Sequence, residues 1–140
     1  MARSTTSIRL DDHLRDRLAA TAAAEGTTVT EVIERFVHEG LETAAHPGIV
    51  FKPGPSGRRA ALAGGPDVWE LVAALRHVSG SEARRVTKLA KQFGVHERQV
   101  VTALNFAASN RDEVEARVRA NDLALEEAER VAGERERLLA

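Results

Sequence analysis

Thr5, Ser7 and Arg9 occupy alternate positions in the segment Ser4-Thr-Thr-Ser-Ile-Arg-Leu-Asp-Asp12. In an extended chain their side chains project from one face, while Ile8 and Leu10 project from the other. A guanidinium beside two hydroxyls is a hydrogen-bonding set. Arg forks onto a purine edge that offers two acceptors, and hydroxyls donate or accept at several bases. That is recognition chemistry rather than bond-making chemistry, and nothing else in the chain supplies the latter. His13, His38, His46, His77 and His96 include no pair at i, i+3 or i, i+4 and no His-Glu-x-x-His, so no metal site is expected. Cys and Tyr are absent, and there is no serine elbow or glycine-rich cofactor loop. The expectation is a binding protein without cofactor, not an enzyme.

A half-polar strand at a chain end is not stable by itself in water, because it needs further strands or a helix beneath a hydrophobic face. The nearest apolar material downstream is helical, so the economical partner is the same strand from a second chain. Two such strands form a ribbon that fits the major groove of double-stranded DNA.

Asp11 and Asp12 can cap a helix that follows directly, with Leu14, Leu18 and Ala22 along one face. Gly26 ends it, and Thr28 with Glu31 forms a capping box for a second helix, whose apolar stripe is Val29, Val32, Ile33, Phe36, Val37 and Leu41. Strand, helix, glycine turn and capped helix, in that order within about 45 residues, resemble the ribbon-helix-helix transcription factors of the Arc, MetJ and CopG type. The resemblance covers Ser4 to about Ala44. It implies an intertwined homodimer in which Thr5, Ser7 and Arg9 read bases. Arg3 and the start of the second helix, Thr28 and Val29, would then meet phosphate. Chain length agrees, since so short a domain buries too little surface to stand alone. Whether dimers pair into tetramers on DNA is left open.

His46-Pro47-Gly48 interrupts the helical pattern and marks a boundary. Ile49-Val50-Phe51 and Arg58-Arg59-Ala60-Ala61-Leu62 read as a hairpin around Lys52-Pro53-Gly54-Pro55-Ser56-Gly57. This glycine- and proline-rich turn is no phosphate loop, because no Gly-Lys-Ser/Thr follows and two prolines remove amides. Arg58 and Arg59 are candidates for phosphate contact from the hairpin. Pro66 and Asp67 open a helix with Val68, Leu71, Val72 and Leu75 inside and Trp69 beside them as a packing anchor. A helix from Ser81 to Gly94 and another from His96 to about Ala107 follow. Their constellation Ala90, Gly94, Val95, Val100 and Leu104 resembles a helix-turn-helix. That resemblance implies a second DNA site, with Arg84, Arg85 and Lys88 (and Lys91) on backbone and Arg98, Gln99 and Thr102, with Asn105, in the groove. The alternative is a helical pair used for packing or for a protein partner.

From His46 to about Asn121 the chain also resembles a small winged-helix-like family of toxin-antitoxin loci. What that implies is an antitoxin role, with a toxin protein held by the C-terminal half. Asp112 is expected to cap a long last helix, with Val114, Val118, Leu125 and Val131 along one side and Glu–Arg pairs on the others.

The formal charge of −1 hides three blocks. Residues 1–45 carry 5 basic and 8 acidic side chains, residues 46–110 carry 9 and 4, and residues 111–140 carry 6 and 9. The expected domains follow the same limits: a ribbon-helix-helix domain at 1–45, a winged-helix-like or helix-turn-helix domain at 46–110, and a C-terminal helix at 111–140. The expected fold is mainly α, with one short N-terminal strand and a small hairpin. No apolar run approaches membrane-spanning length, no secretory core is present and thiols are absent, so a cytoplasmic protein is expected. The function expected is a sequence-specific transcriptional repressor, the antitoxin of a type II operon. The rival is a stand-alone regulator with two DNA-binding modules and no toxin.

Overall fold

Three of the helices in this chain begin where a short polar side chain, Asp11, Thr28 or Ser81, accepts from a free amide of the first turn. The computed structural model describes residues 2–140. Among them are α1 (Asp12–Glu25), α2 (Val29–Ala45), β1 (Ile49–Lys52), β2 (Arg59–Leu62), α3 (Val68–Leu75), α4 (Glu82–Phe93), α5 (Glu97–Ser109) and α6 (Arg111–Leu139). The chain is therefore mainly helical with one two-stranded antiparallel sheet. It divides into two compact units, one ending at Glu42 and one beginning at Thr43. No helix among the described residues is long and apolar enough to cross a membrane.

In the first unit, Asp11 caps α1 by accepting from the Leu14 amide at 2.8 Å. Gly26 closes α1 in the left-handed conformation, φ 66°, which costs glycine nothing and an L-residue about 1–2 kcal/mol. Thr28 and Glu31 form the reciprocal box: the Glu31 amide donates to Thr28 Oγ1 at 3.2 Å, and the Thr28 amide donates to Glu31 Oε2 at 3.5 Å. Arg35 of α2 forks onto Glu25 at the end of α1, at 2.6 and 3.1 Å. That hydrogen bond raises the Arg35 pKa above its ordinary value. Leu18, Ala22 and Val32 form the small core, with Leu10, Val29 and Ile33 packed against it.

Two expectations for this unit change. Residues 2–10 belong to no strand; the expected N-terminal strand has no ladder partner within one chain, and a strand is defined by its partner. The apolar stripe of α2 is also only half covered. Val32 is fully buried, whereas Phe36, Val37 and Leu41 are 49%, 56% and 67% exposed.

The second unit is built on the hairpin and α3 to α5. Ile49 lies opposite Leu62 and Lys52 opposite Arg59 across the ladder. Ile49, Leu62, Leu71, Leu89, Val100 and Phe106 are essentially buried, and each contributes about 2 kcal/mol in apolar transfer. Phe106, absent from the expected constellation of Ala90, Gly94, Val95, Val100 and Leu104, meets the rings of His46 and Phe51 in T-shaped geometry at centroid distances of 5.4 and 6.1 Å.

Asp67 stands before α3 in extended conformation, and its amide donates to Glu70 Oε2 at 2.8 Å. Its buried carboxylate takes the Arg59 guanidinium and, at 3.2 Å, the Trp69 indole N–H. Ser81 caps α4 by accepting from the Arg84 amide at 3.3 Å. Gly94, φ 66°, ends that helix.

The long helix α6 starts two residues earlier than expected. Asn110, not Asp112, occupies the N-cap, its side-chain amide donating to Phe106 O at 3.1 Å, and Asp112 lies within the first turn. Nor does α6 stand apart. Val114 and Val118 are buried, and Asp122 accepts from both Arg76 Nη atoms at 2.9 and 3.1 Å. Beyond Asp122 the helix exposes Leu123, Leu125, Val131, Leu138 and Leu139.

Candidate nucleic-acid interface

Two surfaces carry the polar groups singled out by the sequence, one in each unit. In the first, Thr5, Ser7 and Arg9 are exposed and make no hydrogen bond to any described residue. Arg3 touches Glu34 at 3.4 Å, with the two side chains 86% and 53% exposed, a pair too solvated to hold it there. On the inner side, Ile8, Leu10, Leu14, Leu18, Ile33, Phe36 and Val37 line an apolar depression of about 360 Å³.

The start of α2 is not an open phosphate site. Glu31 Oε2 accepts from the Thr28 amide at 3.5 Å and from the Thr27 hydroxyl, while Thr28 Oγ1 is engaged by the Glu31 amide. A phosphate would find the next two amides, of Val29 and Thr30, which have no partner within the helix. It would also meet a carboxylate that has to swing aside.

In the second unit the basic block sorts into two classes. Lys52 Nζ donates to Gly65 O at 3.2 Å, and Arg58 Nη2 to Phe51 O at 3.2 Å. Arg59 pairs with Asp67 and donates to Pro53 O at 2.8 Å. Arg85, expected on the DNA side, turns inward and donates to Leu75 O at 3.1 Å, with Nε buried. Arg58 and Arg59 likewise hold the hairpin rather than reach outward. Each stem crosses apolar surface and its head meets a carbonyl or carboxylate that burial would otherwise strand.

Arg84, Lys91 and Arg98 remain exposed without a side-chain hydrogen bond or ion pair to a described residue. Lys88 is exposed too, its Nζ donating to Ser79 O at 2.9 Å. Along α5 the outward positions also differ from expectation. Gln99 Oε1 accepts from the His96 amide at 2.8 Å, and the half-buried Thr102 donates to Arg98 O at 3.0 Å, so both serve the helix itself. The exposed line is Arg98, Val101 and Asn105, and Val101 is 42% exposed. The signal was present in the spacing. With Val100, Ala103 and Phe106 inside, a period of 3.6 puts residues 98, 101 and 105 outside.

His96, the N-cap of α5, lines one shallow depression with Thr87, Lys91 and Arg98. Thr87 Oγ1 donates to Glu97 Oε1 at 2.8 Å, which pins α4 to the start of α5. No three His, Asp or Glu side chains among the described residues are gathered so as to hold a metal ion. Comparison with protein-family models, with curated proteins and with solved structures finds no match to this chain.

Proposed function

We propose that the chain is a homodimeric, sequence-specific DNA-binding repressor of the ribbon-helix-helix type, acting as the antitoxin of a toxin-antitoxin operon. The observation that carries the dimer is the apolar face of the first unit. Ile8, Phe36, Val37 and Leu41 are each about half to three-quarters exposed beside an N-terminal segment without a ladder partner. A second copy answers both needs at once: its segment pairs with the first as a ribbon, and its α2 covers the stripe. Burying the exposed part of four such side chains on each protomer is worth roughly 1–2 kcal/mol apiece. On that ribbon Thr5, Ser7 and Arg9 face away from the apolar side, where a purine edge can meet the Arg9 fork.

The antitoxin part rests on α6. Its last four to five turns carry Leu125, Ala128, Ala132 and Leu139 on one line, with Val131 and Leu138 beside it, and Leu125, Val131, Leu138 and Leu139 are half to mostly exposed. A partner groove that takes an amphipathic helix by such anchors is the complement of this arm. Sedimentation of the purified chain tests the dimer directly. A species of twice the 15.2 kDa chain mass supports it, and a monomer at micromolar concentration contradicts it.

A further inference from the structure

We propose that the α4–α5 face of the second unit is a separate DNA-contacting surface, in which α5 enters a major groove and α4 lies along the phosphates. Of the nine Lys and Arg side chains between residues 46 and 110, six serve carbonyls or carboxylates of their own unit. The three left over are Arg84, Lys91 and Arg98, and Lys88 lies between the first two on the same helical face. Arg84 and Lys91 are seven residues apart, about 10.5 Å along α4, a span that reaches past one phosphate to the next.

The outward line of α5 decides what kind of partner fits. Arg98, Val101, Asn105 and Ala108 include no carboxylate over three turns, in a chain with 21 acidic residues. The one acid at its start, Glu97, is held by the Thr87 hydroxyl. A protein-binding helix has no need to exclude carboxylates, whereas a helix that approaches a polyanion does. Each exposed side chain also has a base-edge partner in the major groove. Arg98 matches guanine O6 and N7, Asn105 matches adenine N6 and N7, and Val101 packs on a thymine methyl. Seven residues at 1.5 Å rise cover about three base pairs.

This surface does not depend on the ribbon. The test uses the full-length protein and a fluorescently labelled mixed-sequence duplex, with affinity measured by anisotropy between about 50 and 200 mM salt. The variant Arg84→Gln, Lys91→Gln, Arg98→Gln keeps the stems and touches no internal hydrogen bond. It is expected to flatten the slope of log affinity against log salt by about 1.8, two phosphates under Arg84 and Lys91 at about 0.9 each, and to lower affinity further through the lost Arg98 fork. Asn105→Asp, nearly isosteric, is expected to weaken binding about tenfold or more, since the unfavourable contact costs on the order of 1–3 kcal/mol. A slope unchanged in the triple variant overturns the proposal, as does a wild-type chain that binds no duplex at low salt. The ribbon stands or falls separately: Arg9→Ala without effect counts against the ribbon and leaves this surface intact.

Discussion

Arg76, at the end of α3, and Asp122, halfway along α6, form a two-pronged pair at 2.9 and 3.1 Å across 46 residues of sequence. It is the last side-chain tie between α6 and the rest of the second unit, and it divides a docked half of the helix from a projecting half. The Arg76 guanidinium holds the Asp122 carboxyl below its ordinary pKa of 3.8. A depressed carboxyl contributes stability above its ordinary pKa and loses it as pH falls through the folded-state value. Amide protection around Asp122 should therefore be constant at neutral pH and fall below about pH 4. Arg76→Ala should show the reduced protection at every pH. Protection in that variant equal to wild type at neutral pH would mean the pair does not anchor α6.

The Asp67 carboxylate serves both Arg59 and Trp69 from a buried position. Asp67→Ala strands both donors, and breaking a buried pair costs about 3–5 kcal/mol. Because Arg59 is 29% exposed and water can partly replace the lost partner, a loss of about 2–3 kcal/mol is expected. Urea denaturation followed by fluorescence of Trp69, the sole tryptophan, measures it. A loss below about 1 kcal/mol, the scale of an exposed pair, would show that the interaction is solvated in solution.

Phe36→Asp separates a covered face from an open one. On an isolated chain, losing the covered half of Phe36 and its contact with the Arg35 guanidinium costs only about 1–2 kcal/mol and leaves the sedimentation unchanged. In the dimer it buries a charge, so the unfolding midpoint should drop and sedimentation should shift to monomer. A variant as dimeric and stable as wild type would remove the α2 stripe from the interface.

Gly94 ends α4 at φ 66°, with nothing within 4 Å of where a Cβ would lie. Gly94→Ala should cost about 1–2 kcal/mol from backbone strain alone. Because no clash accompanies it, the α4–α5 arrangement and DNA affinity should persist. Calorimetry and the salt titration on the same sample check both halves of that statement.

Local signals in this sequence were readable because local physics determines them. Caps at Asp11, Thr28 and Ser81 and left-handed glycines at Gly26 and Gly94 placed the helix limits, and turn residues placed the hairpin. The long helix was misplaced at its start because Asp112 looks like a cap, while Asn110 is chosen by the tight α5–α6 corner, where its amide reaches Phe106 O. Phe106 itself was missed, since its burial depends on Phe51 and His46 arriving from the hairpin side. Charge counting located the basic block but not its division. Whether Arg58, Arg59 or Arg85 is free depends on which carbonyl needs a donor, and that is decided only by tertiary packing. The proposed ribbon lies beyond a single chain altogether, because its hydrogen-bonding partner would be another molecule.

The claim on which the account turns is that Arg9 reads DNA from a ribbon that only a dimer can form. Gel-shift titration against the DNA upstream of the chain's own gene, with sedimentation of the same preparations, tests it most directly. Losing a fork onto guanine and leaving that base unpaired costs about 1–3 kcal/mol per protomer, so Arg9→Ala should weaken operator binding by at least tenfold while the protein still sediments as a dimer. Unchanged affinity in the Arg9→Ala dimer would contradict the assignment.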